Sequence, residues 1–428
     1  MVNQRRYDID WLRIILFGLL IPFHVAIGVY WSTYGGEINP NLGEITETDR
    51  LEIAEEGNDY TAESVSPISM FLHWMHQWRL AALFMISGMG TAFAYRKRIW
   101  KDFLKERTKR LIVPMFFGAW TMGFASQVIT GEISLNAESL ISSFLLGILW
   151  RSLIFWIPIF GKLLALGHLW FLWNLFFYSV LMIPIFNAVR NNPEGFWSRS
   201  IKRVFSMRWN IGPLFLMPFM LSLTEILFKP WFPGFIGVAY EWFWFLIFFA
   251  IGFSCIVAKN QWYSFLNESR AIITIFALLS TIAFIWIRLE QHSSGIPYVE
   301  GGWILGEPFV FHNGMTLIAC LIHSFHAMYW CLVVFAWGAH FLNHPSNGLA
   351  YLNQGVYPFY IAHMPLVFLG LRLSGELGLR DLSAVLFASV VTTASCWAFF
   401  EIVRRMKRTR FLFGIKNKTP QSKPANNN

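Results

Sequence analysis

Long apolar runs alternate with short polar and basic segments along almost the whole chain. Ten of these runs approach the roughly 20 residues that a helix needs to cross the hydrocarbon core of a bilayer. They lie at about 11–33, 70–95, 111–130, 168–188, 211–228, 239–258, 271–289, 314–341, 355–373 and 381–403. The pattern therefore predicts an all-α, polytopic membrane protein with about ten transmembrane helices.

Composition supports the membrane location. Of the 428 residues, 55% are hydrophobic, 18% are aromatic and only 14% are charged, which is too apolar for a soluble domain of this length. The amino end has Arg5 and Arg6 before an apolar stretch, as a signal peptide does, but Asp10 and Arg13 enter that stretch. A retained first span is therefore expected. The four cysteines all lie in apolar runs and are expected to be buried, unpaired thiols.

The basic residues give the chain an orientation. Most of the 34 lysines and arginines fall in the amino terminus, in the segments after the second, fourth and sixth spans, and in the carboxyl end. The positive-inside rule then places both termini in the cytoplasm, and this bias explains the net charge of +9 without a nucleic-acid partner. We expect one transmembrane domain over 1–410 and a cytoplasmic tail over 411–428 that is disordered at its end.

Two segments between spans allow more than one interpretation. The first outer loop, about 34–69, contains nine acidic residues and is either a solvated cap or a lid and docking surface for an acceptor. The region 131–167 is apolar from Ile141 to Phe160 but is interrupted by Arg151. Because an extra span there would reverse every later orientation, an interfacial or re-entrant helix pair is predicted.

Polar residues inside the first span are the most informative for chemistry. Arg13 and His24 are eleven residues apart, so on one straight helix they share a face within about 20° and are separated by roughly 16 Å. A central Arg or Asp opposes insertion by about 2.5 to 3.5 kcal/mol. This stripe is therefore predicted to face protein or a cavity, with Asp10 orienting Arg13 through an i, i+3 pair.

Histidines also occur in two pairs, each one helical turn apart. His73 and His76 enter the second span, and His323 and His326 lie in the eighth. With no third ligand in view, each pair is expected to be interfacial or packing polar residues, and no metal site is predicted.

Five further positions are candidates for a site. Arg79 lies inside the second span, where a buried guanidinium needs a partner. His363 stands in the middle of the ninth span, two residues before Pro365, which releases a backbone carbonyl there. His168, at the outer start of the fourth span, is either a residue of the interfacial belt or part of a site. Arg107 and Arg110, one turn apart at an inner helix end, are either a membrane anchor or a phosphate clasp.

Five short motifs occur in a recognisable order. They are Arg13-x10-His24 preceded by Asp10, Phe84-Met-Ile-Ser87-Gly88, Arg107-x-x-Arg110, His168-Leu-Trp170, and Tyr360 with His363 and Pro365. This order resembles the membrane-bound acyltransferase-3 family, and within it the members that succinylate periplasmic glucans.

The resemblance implies an enzyme of the bacterial inner or plasma membrane. Such a protein transfers an acetyl or succinyl group from cytoplasmic acyl-CoA to a hydroxyl of an extracytoplasmic glycan, with no permanently bound cofactor. His24 is then expected to be the general base. The other expected catalytic residues are Asp10, Arg13 and His363, the acyl-CoA site is Arg13, Arg79, Ser87, Arg107 and Arg110, and the acceptor contacts are His168 and Trp170. Ser87 is either an acyl carrier or a packing hydroxyl, and packing is favoured.

A transporter or flippase for a glycan-related solute is the alternative, because intramembrane Arg, His and proline-interrupted spans also occur along substrate pathways. No inverted repeat is evident in the sequence, which disfavours it. A purely structural subunit would leave the polar stripe of the first span unexplained.

Overall fold

The computed structural model describes residues 6–34, 67–96, 98–154, 167–229, 240–294, 314–406 and 409–415. Within these ranges the chain is helical and contains no strand, as the apolar pattern predicts. The helices are α1 Asp8–Gly18, α2 Leu20–Tyr34, α3 Pro67–Tyr95, α4 Trp100–Arg107, α5 Val113–Thr130, α6 Ala137–Ile154, α7 Trp170–Leu181, α8 Ile183–Asn191, α9 Phe196–Phe205, α10 Met217–Phe228, α11 Tyr240–Val257, α12 Lys259–Glu268, α13 Arg270–Ser294, α14 Gly314–Phe341, α15 Leu349–Glu376 and α16 Asp381–Arg405.

Each of the ten predicted spans coincides with a helix or a helix pair. Among the described residues, eight helical stretches are long and apolar enough to cross a membrane, and α7 with α8, bent by 48°, makes a ninth. The remaining predicted span, α3, has 29 residues and is therefore about 43 Å long. Its polar residues His73, His76, Gln77 and Arg79 lower its hydropathy. The protein is a multi-pass integral membrane protein.

The first predicted span is one helical stretch that is interrupted at Leu19, between α1 and α2. Pro22 has no N–H, and in a continuous helix its ring would collide with the carbonyl of Gly18, four residues earlier. The chain accordingly breaks at Leu19, although the Leu19 N–H still donates to the Ile15 carbonyl at 2.9 Å. The straight-helix geometry predicted for Arg13 and His24 is therefore only approximate, and their relation follows from what each contacts.

The start of α1 lies against two other parts of the chain. Arg6 donates to Asp8 at 2.8 and 3.0 Å and stacks over Tyr263 of α12 at 3.8 Å. Burial raises the pKa of the Tyr263 phenol, which keeps it neutral under the guanidinium. The Trp11 Nε1–H donates to the His344 carbonyl at 3.3 Å. These contacts gather the chain segments before α1, in α12 and after α14 at one end of the bundle.

Helices α3 and α11 pack closely at two glycines. A Cβ on Gly88 of α3 would lie 2.0 Å from the Phe249 carbonyl oxygen of α11, and one on Gly252 would lie 2.0 Å from the Met85 oxygen. Both distances are far below van der Waals contact, so only glycine fits at either position. The Ser-Gly motif therefore has a packing function through Gly88.

Several peripheral predictions can be compared with the structure. The first part of the region 131–167 is α6, whose Phe144 packs on Trp120 and Phe124 of α5 at 4.9 and 5.3 Å between ring centroids. Residues 155–166, the acidic loop from 35 to 66, and 416–428 lie outside the described residues. Phe413 packs against Phe117 and Phe399, so the chain contacts the bundle past the predicted domain end at residue 410. All four cysteines are buried and free, as predicted.

Candidate active site

Arginines from three elements meet at the end of the bundle where α1 begins. Arg13 lies 3.4 Å from its predicted partner Asp10. Arg107, the last residue of α4, donates to the Thr91 hydroxyl of α3 at 2.7 Å. Arg110 stands over the ring of Tyr357 at 5.8 Å and repels the positive charges of both Arg13 and Arg107. We call Arg13, Arg107 and Arg110 the arginine cluster.

The arginine cluster retains hydrogen-bond donors for an anion. Glu106 lies 3.5 Å from Arg110 but also 3.0 Å from Arg98, so its charge is shared. Among the residues described, the Nε atoms of Arg107 and Arg110 are buried and have no acceptor. Arg13 and Arg110 keep about a third of their side chains exposed, at 30% and 33%. The cluster is therefore positive, accessible and only partly neutralised by its own acidic neighbours.

A widened π-helical turn, Thr108–Ile112, carries Arg110. In this turn the Val113 N–H donates to the Thr108 carbonyl, five residues earlier. Pro114 follows and has no N–H for the Arg110 carbonyl, so regular α-helical bonding is interrupted here. The wider turn therefore follows Arg107 directly and contains Arg110.

Three histidines from distant parts of the chain meet inside the bundle. The ring of His363, on α15, lies 5.2 Å from that of His24 on α2 and 4.9 Å from that of His168, just before α7. His363 is only 1% exposed. We call His24, His168 and His363 the histidine cluster. The cluster brings together His24 and His363, which are separate candidates in the sequence.

Hydrogen bonds to carbonyl oxygens fix the tautomers of two of these rings. A carbonyl can only accept, so the Nδ1 of His24 donates to Leu20 at 2.8 Å and the Nδ1 of His363 donates to Tyr360 at 2.6 Å. In each neutral ring the lone pair is then on Nε2. The Nε2 of His363 is buried and has no partner among the described residues. Both rings therefore offer a nitrogen lone pair that can accept a proton.

His168 is positioned by the proline of the last motif. Its Nε2–H donates to the Ile361 carbonyl at 3.1 Å. Ile361 lies four residues before Pro365, which has no N–H to occupy that carbonyl, so the predicted release of a backbone carbonyl is confirmed. The Tyr360 hydroxyl donates in turn to the His168 carbonyl. The two bonds fix the start of α7 to α15.

Arg79 completes this region. It is 1% exposed, and its guanidinium carbon lies 3.6 Å from the centre of the Phe23 ring. Phe23 also adjoins the ring of His24 at 5.5 Å. Within the described chain, the Nε and Nη1 atoms of Arg79 are buried and have no acceptor. The partner that a buried Arg79 needs is thus the face of the Phe23 ring, in a cation–π contact. The Nε and Nη1 hydrogens of Arg79 are left to bind another group.

Helix α3 connects the arginine cluster to the histidine cluster. Arg79 and Thr91 are twelve residues apart on it, which is about 18 Å along the axis. Ser87 lies between them, and its carbonyl accepts from the Thr91 hydroxyl at 2.8 Å. Trp170 does not join either cluster: it packs against Phe84 and Phe245 at 6.1 and 5.9 Å in the aromatic core.

A separate buried network lies between α10 and α14. Glu225 accepts from Lys229 at 3.0 Å and from the His323 Nδ1 at 2.8 Å, and both Glu225 and Lys229 are 0% exposed. His323 and His326 are thus packing polar residues, as predicted: His323 bonds across helices to Glu225, and the Nδ1 of His326 lies 3.2 Å from the Ser280 hydroxyl of α13. In the described ranges, no three His, Cys, Asp or Glu side chains come together as a possible metal site.

Some contributors to the site carried no sequence signal. Phe23 is one of 43 phenylalanines, and nothing in its spacing indicated that it would lie under Arg79. Thr91 lies one turn beyond Ser87, but a threonine in an apolar helix is usually bonded to its own helix. Its contact with Arg107 depends on how α4 packs on α3, which spacing along the chain does not reveal.

Comparison with known proteins identifies the family of the chain. Residues 6–401 match the family model described as an acyltransferase domain of the acyltransferase-3 type. Glucans biosynthesis protein C of Escherichia coli strain K12 is 22% identical over 426 residues, covering 96% of this chain and 95% of that protein. The same protein from Escherichia coli O139:H28 gives the same identity and coverage. No solved structure matches the chain. Because the family model covers nearly the whole chain, this protein belongs to the acyltransferase-3 family of membrane proteins.

Proposed function

We propose that this protein is an O-acyltransferase that moves an acetyl or succinyl group from acyl-CoA to a hydroxyl of a glycan on the other face of the membrane. The observation that carries the proposal is the pair of clusters connected by α3, one rich in guanidiniums and one rich in imidazoles. With both termini in the cytoplasm, the arginine cluster faces the compartment that contains acyl-CoA.

The phosphates of CoA are assigned to Arg13, Arg107 and Arg110. Guanidinium groups bind phosphate through two parallel N–H bonds, and the open donors of Arg107 and Arg110 suit this geometry. Asp10 holds Arg13 in place, and Ser87 lies on the path that the pantetheine arm follows toward Arg79. The separation of about 18 Å along α3 is a distance that an extended arm bridges, so the thioester arrives beside the histidines.

His24 is assigned as the general base. Its Nε2 takes the proton from the acceptor hydroxyl as that oxygen attacks the thioester carbonyl, and the Arg79 N–H groups stabilise the resulting oxyanion. When the intermediate collapses, the carbon–sulfur bond breaks and the departing thiolate receives the proton from the His24 imidazolium. His363 shares that proton through its own Nε2, while His168 forms the adjoining wall for the acceptor and Trp170 supports it from the aromatic core.

The experiment uses purified full-length protein in nanodiscs with acetyl-CoA or succinyl-CoA and a periplasmic glucan extract. Glucan is the first acceptor to test because the relatives are named for glucan biosynthesis. We expect release of CoA only when glucan is present, together with a glucan mass increase that identifies the acyl group. Release of CoA without glucan, or movement of solute across sealed vesicles without CoA release, would contradict the proposal.

A further inference from the structure

Arg288 is a buried cation that the proposed chemistry does not use. It lies on α13 inside a membrane-spanning helix and is only 3% exposed. Its Nη2 is 3.3 Å from the Nε2 of His73 on α3. Its Nε is buried and has no acceptor, and no carboxylate pairs with it in the part of the chain that the structure describes. A charge buried in a bilayer without a counter-charge is costly and marks a functional position.

The partner His73 does not neutralise this charge. An arginine always donates, so the Nε2 of His73 must accept from Arg288 and the ring proton must be on Nδ1. That Nδ1–H donates to the Ser69 carbonyl at 2.8 Å. His73 is therefore a neutral ring that orients the guanidinium, and the pair keeps a net charge of +1. The free Nε–H and the second hydrogen on Nη2 form a side-on fork that fits two anionic oxygens.

The pair lies close to the histidine cluster, on the side away from the arginine cluster. His73 precedes His76 by one turn, and the His76 ring stacks on Phe23 at 5.7 Å. Phe23 in turn adjoins His24 and lies under Arg79. Along α3, His73 is six residues before Arg79, or about 9 Å. An acceptor that enters from the end opposite the arginine cluster passes Arg288 before it reaches His24.

Arg288 faces the bundle interior rather than the surrounding lipid. Its neighbours Ile285, Trp286 and Leu289 are exposed at 41%, 46% and 48%, and they form the outward side of α13. Phe284 and Ile287, by contrast, are buried at 1% and 0% with Arg288. The fork therefore opens among protein helices, where a lipid phosphate does not reach it from the bilayer side.

We propose that Arg288 and His73 form a subsite for an anionic group, a phosphate or a carboxylate, that the acceptor carries beside the hydroxyl to be acylated. The proposal rests on the proposed function only for the identity of the acceptor. The protein then selects negatively charged glycans over neutral ones of the same backbone, because a charged acceptor supplies the counter-charge that the described part of the chain does not give Arg288.

Binding of acceptor in the absence of acyl-CoA tests the subsite separately from catalysis. Two probes are compared on the full-length protein in phosphatidylcholine nanodiscs: a gluco-oligosaccharide and the same oligosaccharide carrying one phosphate monoester. We expect the wild type to bind the phosphorylated probe at least about tenfold more tightly, as a charge-assisted hydrogen bond provides. Arg288→Gln should abolish that preference, and Arg288→Lys, which keeps the charge but loses the fork, should retain part of it.

The matched control is Arg372→Gln, since Arg372 is a 54% exposed arginine paired with Glu376. This variant should keep the wild-type preference for the phosphorylated probe.

Without probe, Arg288→Gln should unfold at the same temperature as the wild type or higher, because it removes a charge that has no counter-charge among the described residues. Equal binding of the two probes by the wild type, or an unchanged preference in Arg288→Gln, would overturn the subsite even if acyl transfer is observed. Loss of the preference when phosphatidylglycerol is added would assign the fork to a lipid phosphate and would overturn the acceptor subsite as well.

Discussion

A methyl group at position 88 is expected to force α3 and α11 apart. The added Cβ of Gly88→Ala would lie 2.0 Å from the Phe249 carbonyl oxygen and 2.9 Å from the Phe253 nitrogen. Both atoms belong to the helix backbone, so neither can rotate away as a flexible side chain does. Restoring ordinary contact requires the helices to separate locally by about 1.4 Å, and overpacking of this kind costs about 1 to 3 kcal/mol.

The measurement is the free energy of unfolding of the full-length protein in detergent, followed by tryptophan fluorescence. Gly90→Ala is the matched control on the same helix, because its Cβ would meet only the Nη2 of Arg13, at 3.6 Å. Replacing a helical glycine by alanine normally stabilises a helix by about 0.5 to 1 kcal/mol. We therefore expect Gly90→Ala to be neutral or stabilising and Gly88→Ala to lose stability. If Gly88→Ala unfolds like the control, close packing does not explain the glycine of the Ser-Gly motif.

Two further substitutions test other parts of the structure. Pro365→Ala restores a backbone N–H that competes with His168 for the Ile361 carbonyl. The value of kcat/KM for the acceptor should then fall about two- to tenfold, as expected for the loss of one hydrogen bond. Unchanged acceptor kinetics would show that this bond does not position His168. Glu225→Gln removes the carboxylate charge from a fully buried ion pair and should lower the free energy of unfolding by about 3 to 5 kcal/mol. Adding Lys229→Met, which removes the unpaired positive charge, should recover much of this loss. A single variant as stable as the wild type would show that the pair is not needed for folding.

The helices could be predicted from sequence because length and hydropathy decide them in a bilayer. An apolar run of about 20 residues has few alternatives to a helix when no water is present to bond its backbone. The break at Leu19 also follows from local chemistry, because Pro22 is visible in the sequence. Periodicity alone indicates one straight helix there, because it does not include the collision between Pro22 and the Gly18 carbonyl.

The site could be predicted in its residue types but not in its contacts. His24, His168 and His363 each stood out as polar residues at or inside apolar spans, and Pro365 indicated a free carbonyl. That His168 would use this carbonyl depends on how α7 packs on α15, and no periodicity encodes it. Similarly, Arg79 was expected to need a partner, yet an aromatic face satisfies it. Arg288 belongs to no sequence motif. Only the structure shows that its side chain is buried with no carboxylate beside it among the described residues.

The central assignment is that His24 removes the proton from the acceptor hydroxyl. The most direct measurement is glycan-dependent CoA release by purified His24→Ala. The control is His340→Ala, which removes an exposed histidine at the end of α14. Loss of a general base typically lowers turnover by about 100-fold or more, so His24→Ala should fall by at least that factor while His340→Ala keeps the wild-type rate. A folded His24→Ala protein that releases CoA at the wild-type rate would contradict the account.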